Sequence, residues 1–203
     1  MDYGLILKDA LYLLAIINPA SKILFLSSIH PRRSARELLI ASLQASVVAV
    51  AMLLLFSAAG YFILHTVFHV ELYSLKVAGG IVLFTIGLRA IQEGRFFQVK
   101  AFKKLSDISV VPLAAPMIAG PGTLTAAISF SSEHGLAPTA TAIMVAVAVN
   151  FLVLLSSIRL GDQLEKVSAL GPLVRITGLI VAAVAVQMVL AGIGEWLRAL
   201  GIL

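Results

Sequence analysis

The sequence predicts an all-α membrane protein, with six transmembrane helices in two inverted repeats of three and with helices 1 and 4 discontinuous. Three observations predict this fold. Hydrophobic residues make up 60% of the chain and charged residues only 12%, six segments are apolar enough to cross a bilayer, and Lys and Arg collect in alternate loops. A soluble chain of 203 residues needs far more polar side chains to cover its surface.

The six apolar segments are each close to the length of about 20 residues that a bilayer core about 30 Å thick requires. They cover residues 5–28, 38–64, 72–92, 108–132, 136–158 and 173–197. None has the alternation over about ten residues that is typical of a β-barrel strand. The N-terminus lacks the basic region and cleavage site of a signal peptide, so the first segment is expected in the mature protein.

The distribution of basic residues predicts the orientation. Lys and Arg lie in the loops 29–37, 93–107 and 159–172, whereas the loops 65–71 and 131–135 contain neither. Because loops rich in Lys and Arg stay in the cytoplasm, both termini are predicted on the outer side of the cell (inner, cytoplasmic) membrane. The net charge of +5 is thus explained by the orientation of the protein in the lipid bilayer, its expected partner. No nucleic acid is expected to bind.

The chain 1–203 is predicted to form one membrane domain made of two halves. The halves, approximately 1–93 and 108–203, are joined by a basic cytoplasmic loop, and their opposite orientation is a recurring plan of secondary transporters. A weak internal repeat agrees with this division, since Lys76–Val82 and Arg175–Val181 open the third and sixth segments with similar residues.

Two of the six segments contain a helix-breaking signal. The first has Asn18-Pro19 and the fourth has Gly120-Pro121. Asn and Gly are accepted as the N-cap of a helix, and Pro is favoured at its first position. Each pair therefore predicts a fresh helix that starts in mid-span. Pro112 and Pro116 are predicted to shape the cytoplasmic half of the fourth segment, or to be simple kinks.

These two helix starts predict a substrate site. Helix N-termini carry about half a positive charge and bind anions. Because the halves are inverted, both starts are expected to converge near the membrane midplane, where discontinuous helices of transporters meet substrate carboxylates. The predicted free backbone N–H groups belong to Ala20, Ser21, Gly122 and Thr123. The predicted substrate-binding residues are Asn18, Pro19, Ala20, Ser21, Gly120, Pro121, Gly122 and Thr123.

Three further polar residues lie inside the apolar segments. Asn150 and Gln187 are candidates for hydrogen bonds to substrate, with polar contacts between helices as the alternative. Lys22 is the most unusual, because intramembrane charges are functional candidates by default. Either it extends to the cytoplasmic interface or it lies near the substrate pathway.

The same motifs resemble the MarC family, which is named after multiple antibiotic resistance and includes small neutral amino acid transporters. The resemblance rests on Asn18-Pro19, on the PMIAGPGT element at residues 116–123, and on Lys76–Gly80 at the start of the third span. It covers essentially the whole chain. The resemblance implies transport or export of small neutral amino acids such as glycine and alanine.

The function predicted first is therefore a secondary transporter with alternating access, whose substrate binds between the broken helices 1 and 4. A passive channel or facilitator, or an exporter of another small metabolite, is the alternative. The sequence has no GxxxxGK[ST] element, so a proton or sodium gradient is expected to drive any active transport. The absence of cysteine argues against a thiol redox enzyme. No enzyme activity, cofactor or metal is predicted, and a homo-oligomer is left open.

Overall fold

The computed structural model describes residues 2–19, 21–23, 34–94, 109–166 and 170–202, and within these residues the regular structure is helical. Its elements in chain order are α1 (Tyr3–Ile17), α2 (Ala35–Phe62) with a π-helical extension (Ile63–Val67), α3 (Leu72–Glu93), a π-helical segment (Ser109–Ile118), α4 (Pro121–His134), α5 (Leu136–Lys166) and α6 (Leu170–Ala199). Pro19 and residues 21–23 are also helical.

Five stretches of the described chain are helical, long and apolar enough to cross a membrane. They are Tyr3–Ile23, Ala35–Val67, Leu72–Glu93, Leu136–Ser156 and Gly171–Ala199. The predicted fourth span is different, because residues 119 and 120 separate the 10-residue segment Ser109–Ile118 from the 14-residue helix α4. Neither part reaches the length of about 20 residues of a bilayer core by itself. The chain is an integral membrane protein with several apolar helices.

The surface of the bundle has the character expected of a lipid-facing protein. Along α2, Ala41, Ala45 and Ala49 are fully buried, whereas Leu43 and Val47 on the same helix are more than half exposed. Small residues on the inside let helix backbones approach each other, and large apolar residues outside meet lipid chains as readily as they would meet a protein core.

Local sequence signals explain where the helices begin and end. The Asp2 carboxylate accepts hydrogen bonds from the N–H groups of Gly4 and Leu5 at 2.9 and 3.2 Å, which caps α1. A reciprocal capping box of Ser34 and Glu37 starts α2. Gly94 ends α3 with a left-handed φ of 66°, a conformation that costs glycine little.

Helices α3 and α6 form the closest pair, and glycines allow their approach. A Cβ atom at Gly80 would lie 2.8 Å from the carbonyl oxygen of Ala185, and one at Gly87 would lie 2.8 Å from the backbone nitrogen of Ala182. On α6, a Cβ atom at Gly192 would lie 2.7 Å from the Tyr73 carbonyl oxygen, and one at Gly178 would lie 3.1 Å from the Gly87 carbonyl oxygen. The two helices run antiparallel, and small residues rather than large apolar ones set their separation.

Candidate functional site

A small pocket lies where α1 ends and α4 begins. The residues that line it come from α1 and the turn after it, from α3, from the π-helical segment with α4, and from α6: Ile16, Ile17, Asn18, Ser21, Leu83, Ile86, Pro116, Met117, Gly120, Pro121, Gly122, Thr123 and Val181. Its volume is about 30 Å³, enough for roughly two water molecules. The pocket is therefore small, with room for water but not for an organic ligand.

Six of the ten predicted substrate-binding residues line this one pocket. They are Asn18, Ser21, Gly120, Pro121, Gly122 and Thr123. The two groups are about a hundred positions apart in sequence, so only the tertiary fold brings them together. The arrangement combines backbone groups, one amide and two hydroxyls with apolar walls, as small-molecule sites commonly do.

The N-terminus of α4 faces the pocket. Gly120 is its N-cap, with extended backbone angles, and Pro121 is at its first position, which is the arrangement that the sequence predicts. The N–H group of Leu124 donates to the Gly120 carbonyl oxygen at 2.9 Å, while the N–H groups of Gly122 and Thr123 belong to the first turn, where no intrahelical acceptor exists. This end of the pocket therefore has the partial positive charge of a helix N-terminus.

Both glycines of this turn are held close by other residues. A Cβ atom at Gly120 would collide with the Pro116 carbonyl oxygen, and one at Gly122 would lie 3.0 and 3.1 Å from the two methyl groups of Leu83. A methyl group of Ile16 would be 3.3 Å from the same Gly122 atom. The first turn of α4 is thus packed so tightly that only glycine keeps the pocket free.

The α1 side of the pocket differs from the prediction. Asn18 has a left-handed φ of 52° and ends α1 by donating its N–H to the Leu14 carbonyl oxygen at 2.9 Å. The N–H group of Ser21, predicted to be free, donates to the Asn18 carbonyl oxygen at 3.1 Å, and the Ser21 hydroxyl donates to the same atom at 2.7 Å. The tight turn at Asn18 closes this hydrogen bond, so α1 presents its carbonyl end here.

The position of the Lys22 side chain is explained by this turn at Asn18. Its side chain is fully buried, and Nζ donates to the carbonyl oxygens of Ile17 and Asn18, the latter at 3.5 Å. A cation at the carbonyl end of a helix is stabilised by the helix dipole. Lys22 therefore turns back toward the end of α1, and extension to the membrane interface is not what the side chain does here.

The other predicted residues lie apart from the pocket. Pro19, with Asn18, lines a separate cavity of about 370 Å³ between α1 and α6, and Ala20 lies outside the described residues. Asn150 is fully buried on α5, and neither its Oδ1 nor its Nδ2 has a hydrogen-bond partner among the described residues. Gln187 is exposed on α6, where the bilayer would cover it, so the geometry offers no support for its substrate contact.

One side chain in the pocket wall has an unused donor. The Nδ2 atom of Asn18 is buried and lacks an acceptor among the described residues. Buried polar atoms are nearly always paired with protein or water. Together with the Thr123 side chain, which is only 2% exposed, this amide gives the pocket polar groups that are available to a ligand.

Helices α1 and α3 begin, and α4 and α6 end, at the same end of the bundle, which we name the terminal face. Sequence reasoning did not find the charged cluster that lies there. Lys76 on α3 binds Glu133 on α4, with 2.6 Å between Nζ and Oε1, and also binds Glu195 on α6. Asp9 on α1 binds His134 on α4, with 2.7 Å between Oδ2 and Nδ1. The signal in the sequence was Asp9 itself, an acidic residue about one turn inside the apolar segment 5–28.

Replacing Lys76 by methionine is expected to destabilise the protein. The lysine side chain is 9% exposed, while those of Glu133 and Glu195 are 42% and 32% exposed. Removing one partner of a fully buried ion pair costs about 3 to 5 kcal/mol, and the partly solvated carboxylates reduce this to about 1 to 3 kcal/mol of unfolding free energy. Thermal unfolding in detergent measures it. The control is Lys8→Met, on the exposed side of α1; equal stability of both variants would contradict the role given to Lys76.

Comparison with known proteins places these features in a family. The model of the "MarC family integral membrane protein" matches residues 3–197. A UPF0056 membrane protein of Pyrococcus horikoshii is 36% identical over 189 residues, which cover 93% of each chain. The UPF0056 inner membrane protein MarC of Citrobacter koseri is 28% identical over 209 residues, which cover 92% of each chain. No solved structure is a significant match. The chain thus belongs to the MarC family of integral membrane proteins, as its motifs suggested.

Proposed function

We propose that this protein is a secondary transporter of small neutral amino acids, with alternating access and with its substrate bound in the pocket between α1 and α4. One observation carries the proposal: the carbonyl end of α1 and the amide end of α4 meet at the same pocket. The N–H groups of Gly122 and Thr123, at the positive end of α4, suit the carboxylate of a zwitterion. The carbonyl oxygens of Ile17 and Asn18 at the negative end of α1 are already bound by Lys22 Nζ, so the ammonium group of the substrate would have to displace Lys22 to bind them.

The packing of the helices supports an inverted repeat with two broken spans. In an inverted repeat, spans 1, 2 and 3 correspond to spans 4, 5 and 6. Helix α1 packs on α5, and the π-helical segment and α4 of the fourth span pack on α2, so these two contacts correspond to each other. Helix α3 packs on α6, a contact that is unchanged when the halves are exchanged. In this plan the first span is broken at Asn18 and the fourth at Gly120, and the two breaks meet at the pocket.

The orientation belongs to the same proposal. With the loops rich in Lys and Arg in the cytoplasm, the terminal face is the outer face and both chain termini are outside. The small pocket then corresponds to an occluded state, from which each side opens in turn.

The size of the pocket supports small substrates. Gly120 and Gly122 leave no side chain in the pocket, and Leu83 and Ile16 close it from the other side. Extra carbon atoms on a substrate would have to displace these apolar walls. The identity of the amino acid rests on the family resemblance, and glycine and alanine are the substrates to test first.

The proposal is tested by uptake into proteoliposomes that contain the purified protein. Labelled glycine and alanine are supplied with an imposed proton or sodium gradient, and counterflow is measured without any gradient. We expect saturable uptake and counterflow, and a preference for glycine and alanine over leucine of roughly tenfold or more, because overpacking costs about 1 to 3 kcal/mol.

Three outcomes separate the candidate functions. Accumulation against a gradient supports the transporter. Flux that neither saturates nor shows counterflow would support a passive channel instead. The absence of any flux for a panel of small neutral metabolites would contradict both.

A further inference from the structure

The pair formed by Asp9 and His134 joins the two halves of the protein above the pocket. Asp9 is 2% exposed at its side chain and His134 is 24% exposed. Asp9 and Asn18 are nine positions apart, or about 13 Å along the helix axis at 1.5 Å per residue. The pair therefore lies at the terminal face, about 13 Å from the pocket.

Aromatic side chains fill the space next to this pair. The ring of Phe130 stacks on the ring of His134 with 5.6 Å between centroids, and Tyr12 of α1 meets the edge of Phe130 at 5.5 Å. Tyr12 and Asp9 lie on successive turns of α1, and Phe130 and His134 lie on successive turns of α4. Separation of Asp9 from His134 would therefore also separate Tyr12 from Phe130.

The charges around the pair make it sensitive to a proton. Glu133 precedes His134 in α4 and binds Lys76 on α3, and Lys76 also binds Glu195 on α6. The described part of α5 up to residue 156 carries no charged side chain, and Lys8, His65 and Arg198 at the same end are exposed. With a neutral imidazole, three carboxylates face one lysine, so the cluster holds two uncompensated negative charges.

A proton on His134 changes this balance. The imidazolium and the Asp9 carboxylate then form an ion pair as well as a hydrogen bond. Without that proton, the neutral imidazole still donates to the carboxylate, but the negative charge of Asp9 has no counter-ion in its desolvated position, where charge is costly. Proton binding therefore favours the closed contact between α1 and α4, and proton loss favours its opening.

We propose that Asp9 and His134 form a proton-binding site that closes the terminal face over the pocket. The site binds a proton when the halves meet and releases it when they separate. Histidine is suited to this, because one ring nitrogen can take up a proton while the other keeps its hydrogen bond. The inference rests on the pocket as the proposed substrate site, but its test needs no transport.

The test uses the absence of native cysteine. Thr123→Cys puts a single thiol in the pocket wall, and a charged maleimide is supplied to the terminal face of the protein in sealed vesicles. Ser74→Cys, an exposed position at the start of α3, reports which face is outside and corrects for the rise of thiolate with pH. The corrected labelling rate at Thr123→Cys is expected to rise roughly tenfold from about pH 6 to about pH 8, because loss of the ion-pair attraction weakens the closed contact.

Variants of the pair decide the outcome. Asp9→Asn and His134→Gln should each remove the pH dependence of labelling. His65→Gln should keep it, since His65 is a half-exposed histidine at the same end, 3.5 Å from Glu71. If His134→Gln does not fold, as judged by thermal unfolding, Asp9→Asn carries the test. A labelling rate that does not change with pH in the parent protein, or that changes equally in Asp9→Asn and His65→Gln, would overturn the proposal. A failed transport assay would leave this result unaffected.

Discussion

Replacing Gly122 by leucine is expected to reduce uptake by more than about tenfold while the protein still inserts and folds. Even the first added carbon would lie within 3.0 to 3.3 Å of Leu83 and Ile16, and the remaining carbons have only a cavity of about 30 Å³ to occupy. Overpacking costs about 1 to 3 kcal/mol, and here it falls on the surface that substrate must use. The initial rate of labelled glycine uptake into proteoliposomes measures the effect.

The matched control is Gly194→Leu. Gly194 lies on α6 with no atom within 4 Å of the position that a Cβ would take, so the same substitution meets no neighbour there. Its uptake should stay within about twofold of the parent rate, as for a surface substitution. Gly122→Leu protein that is folded and transports at the parent rate would show that substrate does not pass the first turn of α4.

Gly178→Ala is expected to lower the free energy of unfolding by about 1 to 3 kcal/mol, through overpacking between α3 and α6. The added methyl group would lie 2.8 Å from the Ala90 Cβ, 3.1 Å from the Gly87 carbonyl oxygen and 3.3 Å from the Ile91 backbone nitrogen. These atoms are backbone or are fixed directly to it, so rotation of a side chain cannot relieve the contact. The two helices would have to separate along their closest approach.

The same substitution at Gly194 should have the opposite sign. Alanine is favoured over glycine inside a helix by about 1 kcal/mol, and Gly194 has space for the methyl group. Gly194→Ala is therefore expected to be neutral or slightly stabilising. Titration with a denaturing detergent, followed by helical circular dichroism, compares the variants. An equal effect of both substitutions would mean that helix propensity, rather than the contact between α3 and α6, decides their stability.

The sequence predicted much of the pocket because its residues have local conformational roles. Gly120-Pro121 predicts a helix start by rules that act within one turn, and α4 begins there. The prediction at Asn18 was less complete. Asparagine accepts both N-cap and left-handed conformations, and the residue takes the second, with φ 52°. For that reason the N–H and hydroxyl groups of Ser21 donate to the Asn18 carbonyl oxygen. The carbonyl end of α1 therefore lies at the pocket.

Lys22 illustrates what local reasoning lacks. The sequence left two positions open for its charge, at the cytoplasmic interface or near the substrate pathway. The turn at Asn18 places acceptors within reach of Nζ. A buried lysine must find such partners, and whether carbonyl groups are available depends on how α1 ends. Gln187 shows the converse, because depth in a segment does not say which face of α6 points inward, and this residue is exposed.

Taken by itself, the sequence determined the class of protein, the apolar segments, the start of α4 at Gly120-Pro121 and the positions of the glycines, and through its motifs the family. These follow from composition and from interactions over one or two turns, which are the same wherever the segment lies. Only the tertiary structure decided that the two breaks share one pocket and that Asp9 meets His134 across 125 positions. Such contacts depend on the packing of helices from distant parts of the chain. In a membrane, small residues and polar pairs set that packing, because lipid chains are as apolar as the side chains and the hydrophobic effect does not drive the helices together.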